Sequence, residues 1–299
     1  LAANQFGTSY DPVTGLYGYM PEPAATNLAL NSKDASLWAG NADVSVLQNN
    51  IAAPDGTTTA AKVLDTVANA THFVGGNISF TSGTVYTHSV FLKKDYFTYL
   101  QVALPVIAFP ATGRRAMINM STGMVSSVDA GVTTSIIDFG NGWFRCSISA
   151  TANGTGAGVA SVAPSLTGTL GDTVFAGTGT QGFYAWQQQV ETGARATSPI
   201  YTTGSTATRA ADVLSVPLAN IPGFSASGYT LFADCRMDYV ATSAITARGI
   251  VISDGDASER SARGFVAPAQ RIGLLTFSGG VAQHSVEFST WNTSRRKIG

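Results

Sequence analysis

Three segments of the chain alternate with period two, a pattern that suits extended backbone, whose successive side chains point to opposite faces. In residues 86–93 the set Tyr86, His88, Val90 and Leu92 opposes Thr87, Ser89, Phe91 and Lys93. In 143–150 the set Phe144, Cys146, Ile148 and Ala150 opposes Trp143, Arg145, Ser147 and Ser149. In 183–190, Tyr184, Trp186 and Val190 stand against Ala185, Gln187 and Gln189. Turn-rich stretches at 152–158 and 168–182 separate these segments, and short strands spaced by turns suit an antiparallel β-sandwich. Residues 57–70 stay open, because Ala60, Ala61, Val63, Leu64 and Val67 fit a short helix as well as a strand.

Charge supports an all-β reading. Only 12% of the residues are charged, against roughly 25% in an ordinary soluble domain, so long salt-bridged helices are not expected. The 17 basic and 18 acidic residues leave a net charge of −1, which gives no field to draw in nucleic acid or an anionic membrane. The most apolar stretch, 100–111, is cut by Pro105 and Pro110, short of the roughly 20 apolar residues of a membrane span. Neither nucleic acid nor membrane insertion is therefore expected. Leu1 follows no basic segment or apolar signal core, so processing or trimming is expected to have removed what preceded it. Cys146 and Cys235 each alternate with apolar neighbours and read as buried thiols rather than a disulfide.

Around 202–211 the composition shifts to small and hydroxylated residues, a connector before a second β-rich region with strands expected at 229–237, 249–253, 271–277 and 281–288. The expected organisation is an N-terminal arm at 1–26, a first sandwich at 27–200, a linker at 201–211 and a second sandwich at 212–299. That last domain stops after Arg295, Arg296 and Lys297 and reads as incomplete.

Signals for catalysis are thin. Residues 177–182, Gly-Thr-Gly-Thr-Gln-Gly, match a dinucleotide fingerprint, but a strand pattern follows where phosphate binding needs a helix N-terminus. His72, His88 and His284 are scattered. Asp254, Asp256 and Glu259 crowd together without the glycine and distal glutamate of a calcium loop, and read as a solvated turn. Asp55, Asp138 and Asp172 sit in turns or beside Gly, where Asp bonds local amides. The sequons at Asn69, Asn77, Asn119, Asn153 and Asn292 follow from a composition rich in Asn, Ser and Thr. No catalytic residue, metal or cofactor is assigned.

The strand sides opposite the core are more informative, since they carry Phe91 and Lys93, Trp143 and Arg145, and Gln187 and Gln189. Flat rings beside amides and cations suit a sugar, whose C–H groups stack on the ring while its hydroxyls bond the polar groups. A covering loop or a partner subunit over Trp143 and Phe91 is the alternative reading.

Several short strings occur in one order: Tyr10-Asp-Pro-Val-Thr-Gly15, Glu22-Pro-Ala-Ala-Thr-Asn-Leu28, Pro54-Asp-Gly-Thr-Thr-Thr-Ala60, Gly140-Asn-Gly-Trp-Phe-Arg-Cys146, Tyr184-Ala-Trp186, Glu191-Thr-Gly193, Ala196-Thr-Ser198, Thr202-Thr-Gly204 and Thr208-Arg-Ala-Ala-Asp212. Together, over residues 10–212, they resemble the carbohydrate-binding-module-like jelly roll of bacteriophage head-spike and tail-fibre proteins. The resemblance implies an all-β jelly-roll sandwich followed by a concanavalin-A- or laminin-G-like sandwich, which 212–299 resembles in part. It also implies that residues 1–9 are the remnant of an attachment segment. Gln187 and Gln188 depart from the small residues of the family, and Ser198-Pro199-Ile200 from its usual Ser-Tyr-Ile-Pro.

The expected function is that of a non-enzymatic structural protein at the virion surface. It would grip host-cell polysaccharide through Phe91, Lys93, Trp143, Arg145, Gln187 and Gln189, and promote adsorption. Its expected partners are that polysaccharide, other virion proteins and further copies of itself, since repeated copies raise avidity by roughly 10² to 10⁴. The rival readings are a purely architectural spike or decoration and a polysaccharide depolymerase.

Overall fold

The computed structural model describes residues 22–212 in full and, beyond them, the backbone of the strands at 8–11, 16–19, 233–235, 246–253, 260–266, 271–278, 281–290 and 296–298. Strand β1 (Thr8–Asp11) pairs with β2 (Leu16–Tyr19) as a hairpin, so residues 12–15 of the Tyr-Asp-Pro-Val-Thr-Gly string connect its two strands. A short β3 (Ala25–Asn27) leads into one turn of 3-10 helix at Ala35–Leu37, whose Ser36 amide donates to the Asp34 carboxylate.

The strands of the sandwich follow: β4 (Val44–Ile51), β5 (Ala60–Asp65), β6 (Asn69–Thr71), β7 (Val74–Phe80), β8 (Val85–Lys94), β9 (Tyr99–Ala103), β10 (Arg115–Asn119) and β11 (Met124–Val128). Then come β12 (Thr133–Asp138), β13 (Trp143–Thr151), β14 (Gly156–Ser165), β15 (Val174–Ala176), β16 (Gly182–Thr192) and β17 (Ala207–Arg209). One sheet has five strands in the order β11-β10-β9-β14-β7, and the other six in the order β12-β13-β8-β16-β5-β4. Each pairing is antiparallel. The chain crosses between sheets from β5 to β7, β7 to β8, β8 to β9, β11 to β12, β13 to β14 and β14 to β16, the interleaving of a jelly-roll sandwich.

The inner faces meet in one apolar cluster, in which Tyr86, Val90, Leu92, Cys146, Ile148, Phe183, Ala185 and Val190 oppose Val74, Ile78, Phe80, Leu100, Val102, Ile118 and Val162. For β8 and β13 the apolar set read from the sequence is the set that faces the core. Cys146 carries a free, buried thiol whose pKa burial pushes far up, so it acts as a small apolar filler.

One segment left open by the sequence takes a definite form, and another departs from the expected pattern. Residues 60–65 form a strand, not a helix, with Ala61 and Val63 in the core and Ala60 on the opposite face. In β16, Trp186 pairs with Phe91 but Gln189 pairs with Ser89, so one extra residue is accommodated, and Gln187 takes up a φ of 52°. That bulge inverts the alternation. Tyr184 and Trp186 therefore lie on the outer face and Ala185 in the core, the reverse of the sequence expectation; beyond the bulge Val190 points inward and Gln189 outward.

The fold forms two units, Leu1–Leu214 and Ser215–Gly299. In the second, β18 (Ala233–Cys235) pairs with β23 (Arg296–Ile298), while β19 (Thr246–Ser253), β20 (Arg260–Val266), β21 (Arg271–Ser278) and β22 (Val281–Thr290) form a four-stranded antiparallel meander. The carboxylates of 254–259 lie outside the described residues.

Candidate functional site

The outer face of the six-stranded sheet is not open. Phe91 is 1%, Trp143 3%, Arg145 6%, Gln187 1% and Gln189 0% exposed, and Lys93 is half-buried. The expectation of an outward aromatic-and-amide surface is corrected accordingly, and the covering element is the chain itself. After β4 the loop 52–59 folds over the rings: the Trp143 indole donates to the Ala52 carbonyl at 3.2 Å and the Trp186 indole to the Thr59 hydroxyl at 3.0 Å. Phe91, Trp143 and Trp186 close with Ala53 and Ala60 into a second apolar cluster. Within it Phe91 meets Trp186 at 5.1 Å between ring centroids, and at its rim it meets the exposed Phe139 at 4.8 Å, both edge to face.

Further along the same face the covering is polar, and residues 197–202 supply it. Gln187 donates to the Ile200 carbonyl at 3.0 Å, and Gln189 accepts from the Ile200 amide at 2.7 Å. The Gln189 amide donates to Glu191, whose carboxylate also accepts from the Thr197 amide and hydroxyl. Asn27 donates to the Gln188 and Ile200 carbonyls and accepts from the Val190 amide. The Arg145 guanidinium donates to Ser89 at 3.0 Å, and burial holds its pKa down to about 10. Its Nε and the Gln187 Oε1 have no hydrogen-bond partner among the described residues. These side chains serve as the glue between a sheet and its lid.

The strings that carry the family resemblance account for much of that glue. β3 and β17 pair, joining the Glu22–Leu28 string to the Thr208–Asp212 string. The buried Glu22 carboxylate accepts from the Ser198 amide at 2.7 Å and faces Arg209 at 3.1 Å, and Arg209 also reaches Asp212 at 3.0 Å. The Glu22 and Asp212 backbones bond each other as well. Residues 190 apart in sequence thus clasp the two ends of the sandwich.

The glycine-rich loop 177–182 also surrounds a group of the chain itself. The buried Asp65 carboxylate accepts from the Thr178 amide at 2.7 Å and the Gln181 amide at 3.0 Å, and strand β16 follows. Asp55 and Asp138 bond the local amides of Thr57 and Gly140. Asp55 also binds Lys33 at 2.7 Å; although burial opposes it, the bonds from Lys33 and Thr57 hold the Asp55 carboxyl below its ordinary pKa.

An open concavity exists elsewhere, at the end of the sandwich where the β8–β9 turn meets the loop after β14. It is lined by Tyr96, Phe97, Thr98, Tyr99, Ser165 and Leu166, spans about 390 Å³ and opens broadly to solvent. Pairing of Tyr99 with Ser165 brings the two loops together. Phe97, 2% exposed, anchors the turn in the core and leaves Tyr96 54% exposed. Gly168, at a φ of 76°, lets the Tyr99 ring lie where a Cβ would stand 2.8 Å from it, and the Gly168 amide donates to the buried Ser165 hydroxyl. The result is a shallow surface of rings and hydroxyls, with no carboxylate, imidazole or thiol among its lining residues. Sequence reading passed over Tyr96 and Tyr99 because both flank a turn, where periodicity carries no information; two tyrosines bracketing Phe97-Thr98 were the available signal. Comparison of the chain with models of known protein families finds no match, and a search of curated proteins finds none either.

Proposed function

We propose that the chain is a non-catalytic, glycan-binding structural subunit of a bacteriophage particle, and that its sugar contact is the Tyr96–Tyr99 cleft rather than the sealed face. The observation that carries the reading is the cleft's chemistry. An exposed tyrosine ring offers a stacking surface for the C–H face of a pyranose, and phenol and threonine hydroxyls both donate and accept, as sugar hydroxyls do. The lining lacks the pair of carboxyl groups that glycoside cleavage uses, which favours binding over depolymerisation. The phage assignment rests on the ordered strings between Tyr10 and Asp212.

Affinity electrophoresis of the full chain in gels containing host capsular polysaccharide tests the binding reading. Retention of the wild-type chain and about tenfold weaker binding by Tyr96→Ala, equivalent to ~1.4 kcal/mol, are expected. Equal retention of both chains removes the cleft from the site. Immunogold labelling of intact particles tests the virion assignment. Absence of retention on any host glycan would leave in place a second reading, a purely architectural subunit.

A further inference from the structure

The two sheets end in four edge strands, β4, β7, β11 and β12. A sheet edge presents unpaired N–H and C=O groups that recruit another strand unless something guards it. Three of these edges are guarded. In β4 the register breaks between Leu47 and Ile51, and Asn49 sits at a φ of 56°. In β11 the register slips by one residue at Ser126. Across the start of β7 lies the segment 40–42: the Gly40 amide donates to the Gly75 carbonyl, Asn41 accepts from the Gly75 amide, and Ala42 bridges Phe73.

β12 has none of these devices. Its six residues, Thr-Thr-Ser-Ile-Ile-Asp, pair with β13 in unbroken register. It contains no Pro, Gly or Lys, and no described strand pairs with its other edge. Ile137 is 51% exposed on that strand, with Phe139 exposed just beyond it.

We propose that β12 pairs with the β12 of a second copy of this chain, antiparallel about a two-fold axis at Ser135, joining two six-stranded sheets into one. The sequence suits self-pairing. A two-fold at Ser135 sets Ser135 opposite its own counterpart, Thr133 opposite Ile137 and Thr134 opposite Ile136, so residues of the same face meet and most are β-branched, which favours cross-strand packing. The single charge, Asp138, falls opposite Val132, and no like charges meet. Such an isologous contact closes on itself and stops at two copies, where an unguarded edge facing a different patch would extend into a fibre. The proposal stands on the edge alone and is independent of the glycan reading.

The test is the mass of the full chain by light scattering, with charges placed at the axis. Ser135→Lys puts like charges directly opposite each other and is expected to halve the wild-type mass; Ser135→Glu is expected to do the same. An equimolar mixture of the two variants is expected to recover the wild-type mass, because Lys then faces Glu. Hydrogen exchange at 133–138 is expected to be slow in the wild type and fast in each variant alone. A wild-type mass of one chain, or a mass that Ser135→Lys leaves unchanged, overturns the proposal, and failure of the mixture to recover overturns the register.

Discussion

Arg145 lies across the ring of Phe91, its guanidinium carbon 5.5 Å from the ring centroid. Two side chains of the kind that grips a sugar thus grip each other beneath the chain's own loops, and substitutions here are expected to change stability rather than affinity. Phe91→Ala and Trp143→Ala should each lose about 3–5 kcal/mol in urea unfolding, the cost of emptying a packed apolar site. Arg145→Met keeps the packing of the stem but removes the donor to Ser89 and the cation that offsets the buried carboxylates of Glu191 and Glu22, and should lose about 3 kcal/mol. Aromatic variants that keep wild-type stability would mean that the face is open in solution.

The clasp at Glu22 gives a second expectation. Glu22→Ala strands the Ser198 amide and leaves Arg209 with Asp212 and the Pro23 carbonyl, and should lose about 1.5–3 kcal/mol, the range for hydrogen bonds to charged groups. Glu22→Gln keeps an acceptor for the Ser198 amide and should recover part of the loss. Limited proteolysis reads the same event locally: in Glu22→Ala the segments around 22–30 and 197–210 should be cut faster than the rest of the sandwich.

Tyr96 and Phe97 are neighbours with opposite roles, and that contrast can be measured. Tyr96→Ala removes an exposed ring and should leave stability within about 0.5 kcal/mol of the wild type, whereas Phe97→Ala should lose about 3–5 kcal/mol. Equal losses in the two variants would show that Tyr96 is a packing residue and unsuited to a ligand contact.

Alternation in β8 and β13 was legible because both strands run without a break, so each apolar residue keeps its parity from end to end. β16 was misread from the same kind of pattern, since the extra residue at Gln187 reverses parity midway and a glutamine gives no sign that it will adopt a positive φ. Whether the outer face is open or lies beneath a covering loop, the two readings the sequence offered, was undecided for a different reason. Periodicity reports which residues share a side of a strand, while the loop 52–59 and the segment 197–202 that cover that side lie more than thirty residues from Phe91 in one case and a hundred in the other. Only tertiary structure brings them together. The order of the short strings can be read from the sequence, but the clasp that Glu22, Arg209 and Asp212 form depends on a β3–β17 pairing that no local pattern announces.

His88 supplies a pH dependence whose direction follows from its hydrogen bonds. The Gln188 side-chain nitrogen donates to the Ala160 carbonyl at 2.7 Å and lies 2.9 Å from His88 Nε2, so that nitrogen of the ring must accept, and the proton resides on Nδ1, 3.3 Å from the Ala103 carbonyl. Protonation would set two donors face to face in a fully buried site, and burial holds the imidazole pKa down to about 4. The unfolded chain takes up its proton near the ordinary value of about 6.5, so the stability linked to His88 is complete above that pH and is lost as pH falls toward about 4, by about 3 kcal/mol in all. Carboxylates give a separate window: bonds from Arg115 and the Arg114 amide outweigh burial and hold the Asp129 carboxyl below its ordinary pKa, so its contribution disappears only at lower pH. Urea unfolding between pH 7 and 4.5 should therefore show a steady loss of stability in the wild type and a flatter profile in His88→Gln, whatever that variant's stability at pH 7. Parallel profiles in the two proteins would assign the slope to other groups.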